Sequence, residues 1–238
     1  MTWSILARDA RTGEVGAAVA TRFFAAGALC LRAEGRVGAV ATQALVNPML
    51  APAALDLIRA GAAPEAAVRT VVDADPGRRA RQLHVLRADG ASFRHTGEEC
   101  VEWAGHVDGP DVSVAGNMLA GAGVVEATRD AFLAGAGMPM AERLIAALEA
   151  GEAMGGDKRG KQAAALVVVS EDPYPDLDLR VDDHPDPLAE LRRLHGVART
   201  HFVHFRRFLA GRDHPGVFDR AAINAAIARA TAGEPAKA

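Results

Sequence analysis

Short apolar runs bounded by charges and glycines set the pattern of the first fifty residues. The first run, Thr2 to Asp9, is followed by Arg-Thr-Gly-Glu, with Gly13 as the turn of a hairpin. Val15 to Thr21 (VGAAVAT) reads as a second strand, and its glycine and alanines predict a close neighbour. Ala28 to Ala33 and Val37 to Leu45 flank Glu-Gly-Arg as a second hairpin, so four strands are expected before the first helix.

The period then changes. Pro52 suits the first turn of a helix that carries Leu55 and Ile58 and stops at Gly61. Pro64 starts a second helix, with Ala67, Val68, Val71 and Val72 on one face and Asp75-Pro76-Gly77 as its stop. Gln82 to Arg87 and Ala91 to Thr96 flank Asp89-Gly90, a strong hairpin signal, and Val112 to Asn117 adds a strand. Val124, Val125, Thr128, Phe132 and Leu133 mark a third helix, and Met140, Leu144, Ile145 and Leu148 a fourth. Gly135 and Gly151 are expected to cap these two. Gln162 to Ser170 and Leu177 to Val181 read as strands, Pro187 starts a long helix through Leu209, and the Ala-rich tail predicts a final helix.

Hairpins in pairs, separated by helix pairs, predict an α+β fold: a four-layer αββα sandwich of two antiparallel sheets flanked by helix pairs. A doubly wound parallel sheet would need strict strand–helix alternation, which the order lacks. The expected division is a domain over 1–210 and a C-terminal tail over 211–238.

Composition narrows the partners. Half of the 238 residues are apolar, enough for a sizeable core, and the formal net charge of −3 argues against nucleic-acid binding. Cys30 and Cys100 lie in apolar contexts and read as buried free thiols. No apolar run is long enough to span a bilayer, and Arg8, Asp9 and Arg11 interrupt the first apolar stretch, so a cytoplasmic protein with no membrane partner is expected. No cofactor is called for, and an apolar C-terminal helix is consistent with a homodimer.

The order of elements resembles the N-terminal nucleophile hydrolases, above all the proteasome-subunit type. The local stretches that agree are Thr2 heading the first strand, GEVGAAVATR at 13–22, FRHTGEECVEWAG at 93–105 with VSVAGNMLAG at 112–121, and AMGGDKRGKQ at 153–162. At finer grain, MTWSILARD, GAVATQALVNP, AGNMLAG, GGDKRGKQAAAL and LRVDDHPDPLAELRRL are similar to the bacterial and archaeal domain-of-unknown-function family 1028, over residues 1 to about 195. The resemblance implies the sandwich fold and an active site at Thr2. It leaves the substrate open.

In N-terminal nucleophile chemistry a Thr hydroxyl attacks an acyl carbon and the chain's own amine is the base. Such an amine has an unperturbed pKa of about 7.7–8.0, so much of it is neutral near pH 7. Thr2 fits this role once Met1 is removed; otherwise it is an ordinary first-strand residue. Proteasome-type sites also place a lysine near the threonine, and this chain has none before Lys158. Arg32 or Arg36 could bring charge there, but arginine stays protonated.

Three further groups carry candidate chemistry. Asn117 could donate to an oxyanion or serve as a turn residue. Asp157, Lys158 and Arg159 lie between glycines that let a ligand approach the backbone; the alternative is a solvated turn. Arg22 could clamp a substrate carboxylate or pair with Asp9 or Glu14, and Gln43 and Asn47 lie where a strand meets the first helix pair. Asp182, Asp183 and His184 offer metal-ligand types, yet Asp186 and Pro187 make the same stretch a helix start. His201 and His204, a turn apart among phenylalanines, lack a third ligand for zinc.

Three functions follow as expectations. The first is an amidohydrolase acting on a small acyl or amino-acid-like amide, with Thr2, Asn117 and Asp157 as catalytic residues and Arg22, Gln43, Asn47, Lys158 and Arg159 binding substrate. The second is a non-catalytic ligand-binding or assembly protein on the same fold. The third is a metal-dependent hydrolase built on Asp182, Asp183 and His184.

Overall fold

Two antiparallel sheets stack face to face, and each carries a helix pair on its outer side. The structure, a computed structural model, describes residues 2–232. The strands are β1 Thr2–Arg8, β2 Val15–Thr21, β3 Leu31–Glu34, β4 Gly38–Ala44, β5 Arg81–Arg87, β6 Ser92–Thr96, β7 Gly105–Gly109, β8 Val112–Asn117, β9 Ala163–Val169 and β10 Leu177–Val181. The helices are α1 Ala26–Cys30, α2 Leu50–Arg59, α3 Pro64–Asp73, α4 Gly123–Ala134, α5 Met140–Ala153, α6 Pro187–Thr200, α7 Phe202–Phe205 and α8 Arg220–Ala232.

The larger sheet has the order β10-β9-β2-β1-β8-β7 and the smaller β3-β4-β5-β6. Helices α4 and α5 cover the first, and α2 and α3 the second, which gives the four-layer αββα sandwich. The central strands β1 and β2 are covered on both faces, so nearly every residue in them is buried and their sequence runs apolar instead of alternating. Gly16 explains the small residues of β2: a Cβ there would lie 2.7 Å from Leu144 Cδ1 on α5. On the smaller sheet Val40, Leu83 and Val85 pack with Leu50, Leu55, Ile58 and Val68 of the helix pair. The facing sheet surfaces meet through Leu6, Val19, Ala39, Ala41 and Leu86.

Four elements differ from the sequence reading. The segment expected as a strand from Ala28 begins instead as the short helix α1, entered through Ala25 at φ 53°. It lies so close to β9 that a Cβ at Gly27 would be 2.3 Å from Ala165 Cβ. Strand β7 (GHVDG) has no apolar alternation and exists through its pairing with β8. Gly151 is no cap; it lies inside α5, where a Cβ would meet Thr128 Oγ1 at 2.3 Å. The long helix stops at Thr200, whose hydroxyl donates back to the Val197 carbonyl at 2.8 Å, and His201 leaves helical geometry at φ −145°.

By its internal contacts the chain divides between Leu191 and Arg192, within α6. The first unit is the sandwich. The described part of the second holds the end of α6, α7, a 3-10 turn over Arg206–Phe208, and α8. No helix among the described residues is long and apolar enough to cross a membrane. Cys30 and Cys100 are buried free thiols; burial pushes the Cys30 thiol up to about 12, which keeps it protonated.

Candidate active site

Strand β1 delivers Thr2 to one end of the sandwich, between β2 and β8. In the register Thr2 lies opposite Asn117, and Trp3 pairs with Ala20, so Thr21 flanks Thr2 on the other side. The Thr2 hydroxyl donates to Thr21 Oγ1 at 3.1 Å, and Thr2 is only 4% exposed.

The next residue along from Thr21 connects this strand end to the Gly-rich loop. The backbone N–H of Arg22 donates to Asp157 Oδ2 at 2.8 Å, and Arg22 Nη1 donates to the Arg159 carbonyl. Asp157 also accepts from the Arg159 backbone N–H at 2.9 Å and from its guanidinium at 3.0 Å. The Asp157 side chain is 1% exposed, so these donors take the place of water around a buried carboxylate. A backbone bridge between Leu119 and Asp157 fixes the loop on the segment after Asn117. Lys158 Nζ donates to the Glu102 carbonyl at 2.6 Å. Thr2, Asn117, Arg22, Asp157, Lys158 and Arg159 are therefore brought to one end of the sandwich.

Behind Asn117 a string of buried polar side chains runs between the two sheets. Gln82 Nε2 donates to the Gly116 carbonyl at 2.8 Å, which fixes the orientation of its amide. Gln82 Oε1 then accepts from Asn117 Nδ2 at 3.0 Å and from Gln43 Nε2 at 2.8 Å. Gln43 Nε2 also donates to the Ala115 carbonyl at 3.1 Å, so Gln43 Oε1 accepts the Ser4 hydroxyl at 2.8 Å. With that hydrogen spent, Ser4 Oγ accepts from His84 Nε2 at 2.8 Å, and His84 Nδ1 accepts from Ser113 at 3.1 Å. His84 is thus the neutral Nε2–H tautomer. Burial, with His106 nearby, pushes its pKa down to about 3. Donation along the string converges on Gln82 Oε1, from Gln43 on one side and from Asn117 Nδ2 on the other, which leaves Asn117 Oδ1 as an acceptor at the strand end.

Gln43 belongs to this string and sits inside the sandwich, 1% exposed. Asn47 is tied elsewhere: its Nδ2 donates to Asp75 Oδ2 at 3.1 Å, beside Arg81 Nε at 2.9 Å on the same oxygen. Arg81 first, and then the Gly77 and Asn47 donors, hold the Asp75 carboxyl down at about 2. Asp182 is taken by Arg180 at 2.7 Å, Asp183 accepts from Gln162 at 3.1 Å, and His184 Nδ1 accepts the Asp186 N–H at 3.0 Å. No group of three or more His, Cys, Asp or Glu that could hold a metal ion occurs among the described residues. The stretch 182–187 starts α6, with Asp186 Oδ1 accepting the Ala189 N–H.

Two features of this end are absent from the sequence reading. Glu152, in the last turn of α5, is half-buried beside the Gly-rich loop, 3.7 Å from Lys161 Nζ. Burial raises its pKa against the opposing pull of Lys161. Its neighbourhood to Gly155-Gly156 was the available signal. The second feature is backbone geometry. Ala25 and Met118, in the loops that leave β2 and β8 at this end, and Ala44, the last residue of β4, hold left-handed φ, 53°, 56° and 71°; Arg36 and Asp111 do so in turns at the opposite end. Each costs on the order of 1–3 kcal/mol.

The fold and this cluster define a four-layer αββα protein with a threonine at the head of a central strand and a buried carboxylate loop beside it. The chain belongs to the family of unknown function DUF1028, whose profile matches residues 2–191. It is similar to the crystal structure of protein SPO2555 from Silicibacter pomeroyi, of the same family, at 34% identity over 92% of this chain and 96% of that one, with a TM-score of 0.85. It is more distantly similar to Anbu (ancestral beta-subunit) from Yersinia bercovieri, at 12% identity over 88% of this chain and 98% of that one, with a TM-score of 0.42. No curated protein matches the chain.

Proposed function

We propose that this protein is an N-terminal nucleophile amidohydrolase whose nucleophile is Thr2 after removal of Met1. The observation that carries the reading is the placement of Thr2 at a strand end in register with Asn117, hydrogen-bonded to Thr21, beside the loop of Asp157. In this mechanism the Thr2 Oγ attacks the amide carbonyl carbon and passes its proton to the Thr2 amine. The amine returns that proton to the leaving nitrogen as the C–N bond breaks, which leaves an acyl ester on Thr2. Water, deprotonated by the same amine, cleaves the ester and restores the hydroxyl. Asn117, opposite Thr2 in the register, orients the nucleophile, and Asp157 fixes Arg22 and Arg159 around the site. Arg22, Lys158 and Arg159 supply positive charge for the substrate.

The missing early lysine supports a second reading, a ligand-binding protein without turnover. Intact mass of the native protein separates the two. Loss of one methionine residue, with hydrolysis abolished in Thr2→Ala, is the outcome the nucleophile reading requires. A full-length mass with unchanged turnover in Thr2→Ala would end it.

A further inference from the structure

The large apolar side chains left exposed in residues 2–191 gather at the end where Thr2 lies. Six of the seven, Phe23, Phe24, Leu45, Met49, Val101 and Met154, belong to segments at that end, and only Met138 lies at the other. Phe23 and Phe24 follow Thr21 directly. Leu45 and Met49 follow β4, whose Gln43 pairs with Gln82. The Val101 carbonyl accepts the Met118 N–H at 2.7 Å, beside Asn117. Met154 caps α5 and leads into the Gly-rich loop. Scattered single exposures need no explanation, but a concentration on the loops of one end marks a surface that something apolar covers.

Charge says what else that occupant carries. Arg22 and Lys158 reach this end and donate only to backbone carbonyls, those of Arg159 and Glu102. Among the described residues neither is ion-paired: Asp157 takes the Arg22 backbone N–H and the Arg159 guanidinium instead. Two cations without an ion-pair partner, at the end of the sandwich where exposed phenylalanine, leucine and methionine gather, match a ligand that is anionic and apolar at once.

We propose that the substrate is an amide bearing a free carboxylate and a large apolar side chain: an N-acylated apolar amino acid, or the carboxy-terminal end of a short peptide. Arg22 and Lys158 take the carboxylate, and the rim of Phe24 and Leu45 takes the side chain. The word substrate rests on the amidohydrolase reading; the ligand chemistry stands without it.

Calorimetry on full-length Thr2→Ala, which binds without turning over, tests the ligand separately from the nucleophile. The probes are N-acetyl-L-phenylalanine, its carboxamide and N-acetylglycine. The first is expected to bind about tenfold or more tighter than either of the others. Arg22→Gln with Lys158→Gln should erase its advantage over the carboxamide, and Phe24→Ser with Leu45→Ser its advantage over N-acetylglycine. Equal affinity for all three, or no binding of any at millimolar concentration, would overturn the proposal. So would self-association of the wild type that Phe24→Ser with Leu45→Ser abolishes without probe discrimination, since that assigns the rim to a second copy. If discrimination is found while Thr2→Ala leaves turnover unchanged, the ligand assignment survives and the nucleophile does not. An N-acetyl-dipeptide then separates the free amino acid from the peptide end.

Discussion

The hydroxyl of Thr2 donates to the hydroxyl of Thr21 at 3.1 Å across the β1–β2 pair, and it is buried there. The oxygen proposed to react is therefore held by the neighbouring strand, at the position where β1 begins. Thr2→Ser preserves that oxygen and is expected to keep measurable turnover, while Thr2→Ala removes it and should abolish turnover with folding intact. Mass spectrometry of the purified protein and of an acyl-trapped form reads both points.

From Gln82 to His84 every polar side-chain atom of the string has a partner, which makes it sensitive to a single deletion. Ser4→Ala leaves the His84 Nε2–H and the Gln43 carbonyl without their partner in a region with no water access. The expected loss is about 1–3 kcal/mol, read from chemical denaturation at pH 7. An unchanged midpoint would show that the string is slack.

Acid titrates a different cluster. The Asp75 carboxyl is held at about 2, below its usual 3.8, with Arg81 as the main cause. A depressed carboxylate stabilises the fold fully above its unfolded value and loses that contribution as the pH falls toward the folded one. Asp75→Asn should therefore cost about 1–2 kcal/mol at neutral pH, and the difference from wild type should fade between about pH 4 and pH 2. Thermal melts across that window check it.

Gly27 tests the close approach of α1 to β9. A Cβ there would stand 2.3 Å from Ala165 Cβ, and α1 is held against the sandwich by its buried Ala26 and Cys30. Gly27→Ala is expected to destabilise by about 1–3 kcal/mol, with Ala165→Gly restoring part of it. Denaturation of the single and double variants gives the coupling directly.

Among these residues, what could be read in advance divides along physical lines. Gly13 and Asp89-Gly90 announced their hairpins because left-handed turn geometry selects so few residue types. The strand β7 was invisible because its stability comes from β8 and not from its own alternation. Gln82 and His84 gave no signal either. Each is polar inside an apolar run, and only the facing sheet supplies the partners that make their burial tolerable. Asn47 sat near the site residues in sequence, yet Asp75 draws its amide into a structural cluster.

Local chemistry along the chain determined the hairpins, the helix pairs and hence the layered αββα plan, because periodicity and turn residues are properties of short segments. It also put Thr2 at the head of a strand. Which residues meet Thr2 was decided only by the stacking and register of distant strands. Antiparallel pairing sets Asn117 beside it, β2 brings Thr21, and the loop at Asp157 folds back over a separation of 135 residues to hold the Arg22 N–H. Those contacts depend on long-range register, which no short segment encodes by itself.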